Sequence, residues 1–222
     1  MKKINWKNEW PFWLLSIVPI LYLCFIWNKL PVSIPIHFNL NGVADGWASK
    51  EYGAPLLAGI NLILYFILLF TPRIDPRWKN YALFARSYWI IRFSIHSLIL
   101  IIYFMSIQAA LGHKIFDTRL LFAVVLILIA VLGNYLRTVR PNYFVGIRTP
   151  WTLEIEEVWT KTHRLGGRTM FYSSLAGLIF LFFAQGEICQ WIFVSSIAIG
   201  TIIPVVFSYF YYRKLMKERI TN

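Results

Sequence analysis

The sequence predicts an all-α membrane protein with six transmembrane helices and both termini cytoplasmic, and three observations carry that prediction. The 222-residue chain is 58% hydrophobic and 18% aromatic but only 14% charged, against about 25% charged in a soluble domain. So apolar a chain cannot cover its own core with polar surface, and in lipid it does not need to. Six stretches approach the ~20 apolar residues that a helix needs to cross a bilayer. The basic residues fall almost entirely between alternate stretches.

The expected spans are 10–27, 54–71, 85–111, 119–136, 169–185 and 190–212. The first follows Lys2, Lys3 and Lys7, like a secretory leader. Pro11 and Pro19 and the lack of a small-residue cleavage site predict instead that it is retained. Pro19 and Pro204 are expected to kink the first and last spans, which bilayer helices tolerate. The short Gly186-Glu187 link predicts that the last two form a helical hairpin.

With the N-terminus inside, the inner segments hold Lys2, Lys3 and Lys7, then Arg73, Arg77, Lys79 and Arg86. They also hold Arg137, Arg140, Arg148, Lys161, Arg164 and Arg168, and finally Arg213, Lys214, Lys217 and Arg219. The outer segments hold Lys29, Lys50, Lys114 and Arg119, and Arg92 lies within the third span. This bias sets orientation, and one span more or fewer would scramble it. Trp10, Trp13, Trp27, Trp78, Trp89, Trp191, Tyr209 and Tyr211 gather at span ends, as an aromatic belt does.

The net charge of +12 belongs to short links, and no basic helix reads as a nucleic-acid reader. Anionic lipid is the partner that such charge expects, and direct nucleic-acid binding is not expected. Cys24 and Cys189 fit neither a metal site nor a disulfide framework, so no cofactor or metal is expected. Zinc-protease H-E-x-x-H, G-x-S-x-G and paired intramembrane acids are all missing, which argues against an enzyme.

The chain therefore reads as a single polytopic domain, 1–222, with two segments longer than simple spans require, 28–53 outside and 137–168 inside. In the outer segment, Pro31 and Pro35 enforce extended backbone. Ile34, Ile36, Phe38 and Leu40 alternate with Pro35, His37 and Asn39, the period of a short strand. Asn41-Gly42 and Asp45-Gly46 read as turns, and Trp47 as a headgroup anchor. His37 and Asp45 form either a weak cation site or a pH-sensitive pair, or simply satisfy turn backbone.

The inner segment reads as one short amphipathic helix. Thr149 or Thr152 is the N-cap and Pro150 takes the favoured first position. Glu154, Glu156 and Glu157 lie near the start and Lys161, His163 and Arg164 near the end, matching the helix dipole. Gly166 is the expected stop, and Glu157 and Lys161 can pair. Ile155, Val158, Trp159, Thr162 and Leu165 share one face. Such a helix lies at the cytoplasmic interface, docks under the bundle or offers its face to a partner. Arg92 and His96, one turn apart in the third span, mark either an intramembrane site or an arginine snorkelling to the headgroups.

Pro35-Ile36-His37-Phe38-Asn39, Asn41-Gly42, Asp45-Gly46-Trp47 and Lys50 resemble the domain of unknown function that opens SdpI-type proteins. Gly146-Ile147-Arg148-Thr149-Pro150-Trp151-Thr152-Leu153, Glu157-Val158-Trp159 and Lys161-Thr162-His163-Arg164-Leu165-Gly166-Gly167 resemble the C-terminal signature of the same family. The order is right, and the resemblance covers nearly the whole chain. It implies a multi-pass protein of the bacterial cell membrane whose family includes an immunity protein against a secreted killing peptide. That member is also a receptor that recruits a cytosolic autorepressor to the membrane. The resemblance thus implies a peptide toxin meeting Pro35, His37, Asn39, Gly42, Asp45, Trp47 and Lys50. It implies a winged-helix repressor meeting Arg148, Thr149, Pro150, Trp151, Glu157, Trp159, His163, Arg164, Gly166 and Gly167. The alternative reading is a transporter or lipid- or peptide-handling protein with a polar path near Arg92, His96 and Asn61.

Overall fold

The computed structural model describes residues 6–113 and 118–221, so Lys2, Lys3 and Lys114 of the charge pattern lie outside the described residues. Its helices are α1 (Trp10–Ile26), α2 (Lys50–Ile74), α3 (Ala85–Ala110), α4 (Thr118–Leu136), α5 (Pro150–Glu154), α6 (Glu156–Phe183) and α7 (Glu187–Thr221). Two strands, β1 (Ser33–Phe38) and β2 (Ala44–Ser49), lie between α1 and α2. All of these helices except α5 are long and apolar enough to cross a membrane, which gives the six expected.

The chain divides into two compact units, one of residues 1–70 and 92–124, the other of residues 71–91 and 125–222. In the first, Leu23 and Ile26 of α1, Leu30, Ile34 of β1, Ala54 and Ala58 of α2, and Tyr103 and Ile107 of α3 form one apolar core. Ile34 is fully buried, so the strand pair is seated on helix ends and does not hang free.

The strands are antiparallel, with Ser33 opposite Ser49 and Pro35 opposite Trp47, and the ladder is irregular around His37. The expected strand is present. The expected turn at Asp45-Gly46 is not, because both residues lie in the returning strand. The reversal is made at Asn39, whose Oδ1 accepts the N–H groups of Asn41 at 2.9 Å and Val43 at 3.1 Å. Gly42 follows with φ +74°, a conformation that glycine adopts without steric cost. Gly46 serves a close approach instead: a Cβ there would stand 2.8 Å from His37 Cβ.

Pro19 of α1 and Pro204 of α7 are compensated in the same way. Proline lacks the N–H that would bond the carbonyl four residues earlier. For Pro19 that carbonyl is Leu15 O, which accepts from Asn61 Nδ2 at 3.1 Å. For Pro204 it is Gly200 O, which accepts from Thr169 Oγ1 at 3.3 Å. Each helix runs continuously through its proline, with the exposed carbonyl held by a neighbouring helix. In hydrocarbon such a group must find a partner within the protein.

In the second unit α6 and α7 form the expected hairpin, turned at Gly186 with φ +57°. Helix α4 meets α6 through glycines. A Cβ on Gly133 would lie 2.8 Å from Phe171 N, and one on Gly167 2.7 Å from Gly133 O. Small residues let helix backbones approach closely where lipid offers no hydrophobic drive for association.

That contact corrects the reading of the inner segment. The expected short helix stopping at Gly166 does not form. A five-residue helix, α5, is capped by Thr149 in a reciprocal capping box with Thr152, and Pro150 follows the cap. Ile155 then takes an extended conformation, φ −121° and ψ +120°. Helix α6 starts at Glu156 and continues through Gly166 and Gly167 into the fifth span. Its 28 residues measure about 42 Å, beyond the ~30 Å hydrocarbon core. The glycines are buried contact points rather than a stop, with Ile147, Pro204 and Leu136 around Gly166. The predicted apolar face is real but covered: Val158, Trp159 and Thr162 are at most 1% exposed.

Candidate functional site

Three polar constellations stand out, each within one unit. The first lies among the spans of the first unit. Glu9 is the N-cap of α1, where the helix dipole favours an acid. Its Oε1 accepts from Arg92 Nη1 at 3.0 Å and its Oε2 from Nη2 at 2.8 Å. Both residues are buried, at 6% and 5% exposure. The guanidinium lies 4.2 Å from the Phe12 ring centre, a cation–π arrangement. Arg92 therefore does not snorkel; its charge is answered inside the protein. One turn along α3, Asn61 Oδ1 accepts from His96 Nδ1 at 2.5 Å, and Asn61 Nδ2 donates to His96 O at 3.1 Å. His96 Nε2 is buried with no hydrogen-bond partner among the described residues.

The second constellation is the hairpin. His37 Nδ1 and Asp45 Oδ1 are 2.5 Å apart across the strands, and both side chains are well exposed. Trp47 is exposed as well, whereas Pro35 is buried and Asn39 holds the turn. Lys50 Nζ lies 4.7 Å from the Trp27 ring centre. The carboxylate fixes the imidazole, whose side chain stays exposed.

The third is the loop 137–155 with the start of α6. Asn142, fully buried, shapes it: Oδ1 accepts from Phe144 N at 2.9 Å and Val145 N at 2.6 Å, while Nδ2 donates to Arg140 O and Val145 O, both at 2.9 Å. Asp75, 1% exposed, takes Arg77 N–H at 2.7 Å, Tyr143 N–H at 2.9 Å and Tyr81 O–H at 3.0 Å. Burial and the nearby Asp75 charge push the Tyr81 hydroxyl up, so it stays a donor. Arg77 reaches Leu153 O at 2.8 Å.

His163 is the other node. Its Nδ1–H donates to Trp159 O at 2.9 Å and its Nε2 accepts Ile147 N–H at 3.1 Å, which specifies a neutral ring. The ring stacks on Trp159 at 4.0 Å, and Trp159 Nε1–H donates to Val139 O at 2.9 Å. Gly146, at φ +118°, passes so close that a Cβ would meet His163 Nε2. His163 is therefore a buried brace for the loop, not a dipole complement at a helix end. Trp151 Nε1–H and Thr149 Oγ1 meet Ser208 Oγ of α7, and Glu157 accepts Tyr211 O–H at 2.5 Å. Arg148, Pro150, Glu157 and Arg164 are exposed; Trp159, His163, Gly166 and Gly167 are not.

Residues 138–211 match the model of the SdpI/YfhL protein family, and residues 14–62 match a domain of unknown function, DUF1648. The chain is 25% identical over 215 residues to "Immunity protein SdpI" of Bacillus subtilis (strain 168), covering 92% of this chain and 99% of that protein. These similarities run along most of the chain, and the C-terminal third is what matches the SdpI/YfhL model. With its six spanning helices it is a multi-pass bacterial membrane protein. No solved structure matches it. The SdpI stretch contains the Asn142 and His163 nodes and the DUF1648 stretch the hairpin and Asn61. Glu9, Asp75, Tyr81 and Arg92 lie outside both. Sequence reasoning missed Glu9, Asp75, Tyr81 and Asn142. A lone acid at the mouth of a span whose neighbour carries an unanswered arginine was the available signal for Glu9.

Proposed function

We propose that this protein is an SdpI-family immunity protein that protects its host cell against a secreted antimicrobial peptide. The observation that carries this reading is the similarity to the Bacillus subtilis immunity protein along essentially the whole of both chains. With the hairpin outside, as the charge bias favours, its exposed His37, Asp45 and Trp47 suit contact with a peptide. On the other side the exposed Arg148, Pro150, Glu157 and Arg164 suit a cytosolic partner. A winged-helix autorepressor held there when toxin is present is the signalling half of the proposal. Signalling of that kind requires two arrangements of the helices with different affinities for toxin.

The Glu9–Arg92 pair favours this reading over a transporter with a polar path, because the arginine is already engaged by a carboxylate and an aromatic face. Expression in a peptide-sensitive strain tests the function: survival in the presence of toxin supports it, and killing as in empty cells by several toxins of this class refutes it.

A further inference from the structure

Helices α6 and α7 leave an apolar groove of about 560 Å³ between them. Tyr172, Ala176 and Phe180 line it from α6 and Trp191, Ser195 and Ile199 from α7. The depression exists because the exposed Ala176 and Ser195 are small where their neighbours Tyr172, Phe180 and Trp191 are large. From Arg168 to Phe180 it runs about 18 Å at the rise of an α-helix, the reach of a long acyl chain. It is not apolar throughout: Arg168 lines it where α6 enters the apolar stretch. Lys161 and Arg164 precede Arg168 at helical spacings of three and four, and all three are exposed. A cationic stripe thus runs along α6 directly into an apolar groove.

We propose that this groove is a binding site for an anionic phospholipid, with one acyl chain along the α6–α7 seam and its phosphate on Arg168. Any bilayer lipid gains from the apolar walls. Only an anionic headgroup gains from the cations, and basic residues beside membrane helices on the cytoplasmic side favour such headgroups. Arginine also matches phosphate through paired hydrogen bonds.

Native mass spectrometry of the purified full chain, delipidated and offered equal amounts of phosphatidylglycerol and phosphatidylcholine, tests this. Phosphatidylglycerol adducts are expected to be retained to higher collision energy. Arg168→Gln should lower their occupancy about fivefold, the effect of one cation near a lipid surface, and Arg168→Lys should retain most of it. Ala176→Trp, which fills the groove from an exposed position, should reduce both lipids. If Arg168→Gln fails to fold, the Lys161→Gln/Arg164→Gln double variant should give a partial loss. Equal retention of the two lipids, or phosphatidylglycerol unaffected by Arg168→Gln or by Ala176→Trp, would overturn the proposal.

Discussion

Glu9 and Arg92, 83 residues apart in sequence, share two hydrogen bonds of 3.0 and 2.8 Å and are each no more than 6% exposed. The pair ties the start of α1 to the first third of α3. Removing one member leaves a buried charge unanswered, a loss of about 3–5 kcal/mol, whereas replacing both with apolar side chains is often near neutral. Arg92→Met is therefore expected to destabilise strongly, and Glu9→Met/Arg92→Met to recover most of the loss. Thermal unfolding in mild detergent measures both. Additive losses would show that the two charges do not act as a pair.

Asn61 and Pro19 are coupled by a similar logic. Asn61→Ala strips the amide from Leu15 O and from His96, at about 1–3 kcal/mol for each buried polar group left unpaired. In a Pro19→Ala background the restored N–H takes Leu15 O itself. The double-mutant cycle is expected to show Asn61→Ala costing less there than in the parent. An equal cost in both backgrounds would mean that Asn61 acts through His96 alone.

The bilayer makes the spans legible, because about 20 apolar residues and a charge bias are one-dimensional signals. The first strand was legible too, since Pro31, Pro35 and the alternation at Ile34–Leu40 are local. The second strand was not. Asp45-Gly46 has the local chemistry of a turn, and only the passage of Gly46 beside His37 shows why glycine stands there. Gly166 likewise has the signature of a helix stop, while its role comes from Ile147, Leu136 and Pro204, which are remote in sequence. Glu9, Asp75 and Asn142 were missed for the same reason: each matters through partners that no local pattern specifies.

Gly146 tests the brace formed by His163. A left-handed conformation costs a non-glycine residue about 1–3 kcal/mol, and the overlap of a Cβ with His163 Nε2 adds to that. His163→Ala removes the overlap but strands Ile147 N–H, at about 1–3 kcal/mol. The double variant Gly146→Ala/His163→Ala is expected to lose less stability than Gly146→Ala and His163→Ala added together. Detergent melting curves of the three proteins decide it, and strict additivity would count against direct contact.

Orientation is open to a chemical test. In a background with Cys24 and Cys189 replaced, a membrane-impermeant maleimide applied to intact cells is expected to label Asp45→Cys and to leave Arg148→Cys unlabelled until the cells are lysed. The reverse pattern would invert the assignment of the hairpin to the outer face.

Immunity, in this proposal, depends on the hairpin meeting the peptide. Its most direct measurement is the killing curve of a peptide-sensitive strain carrying the parent chain, His37→Ala or Asp45→Ala, with membrane levels of each protein matched. The parent is expected to shift the curve to higher peptide dose. Both variants are expected to accumulate normally, since these side chains are exposed, and to lose most of the shift. A parent curve that overlies the empty-vector curve would contradict immunity, and full protection by both variants would contradict recognition by the hairpin.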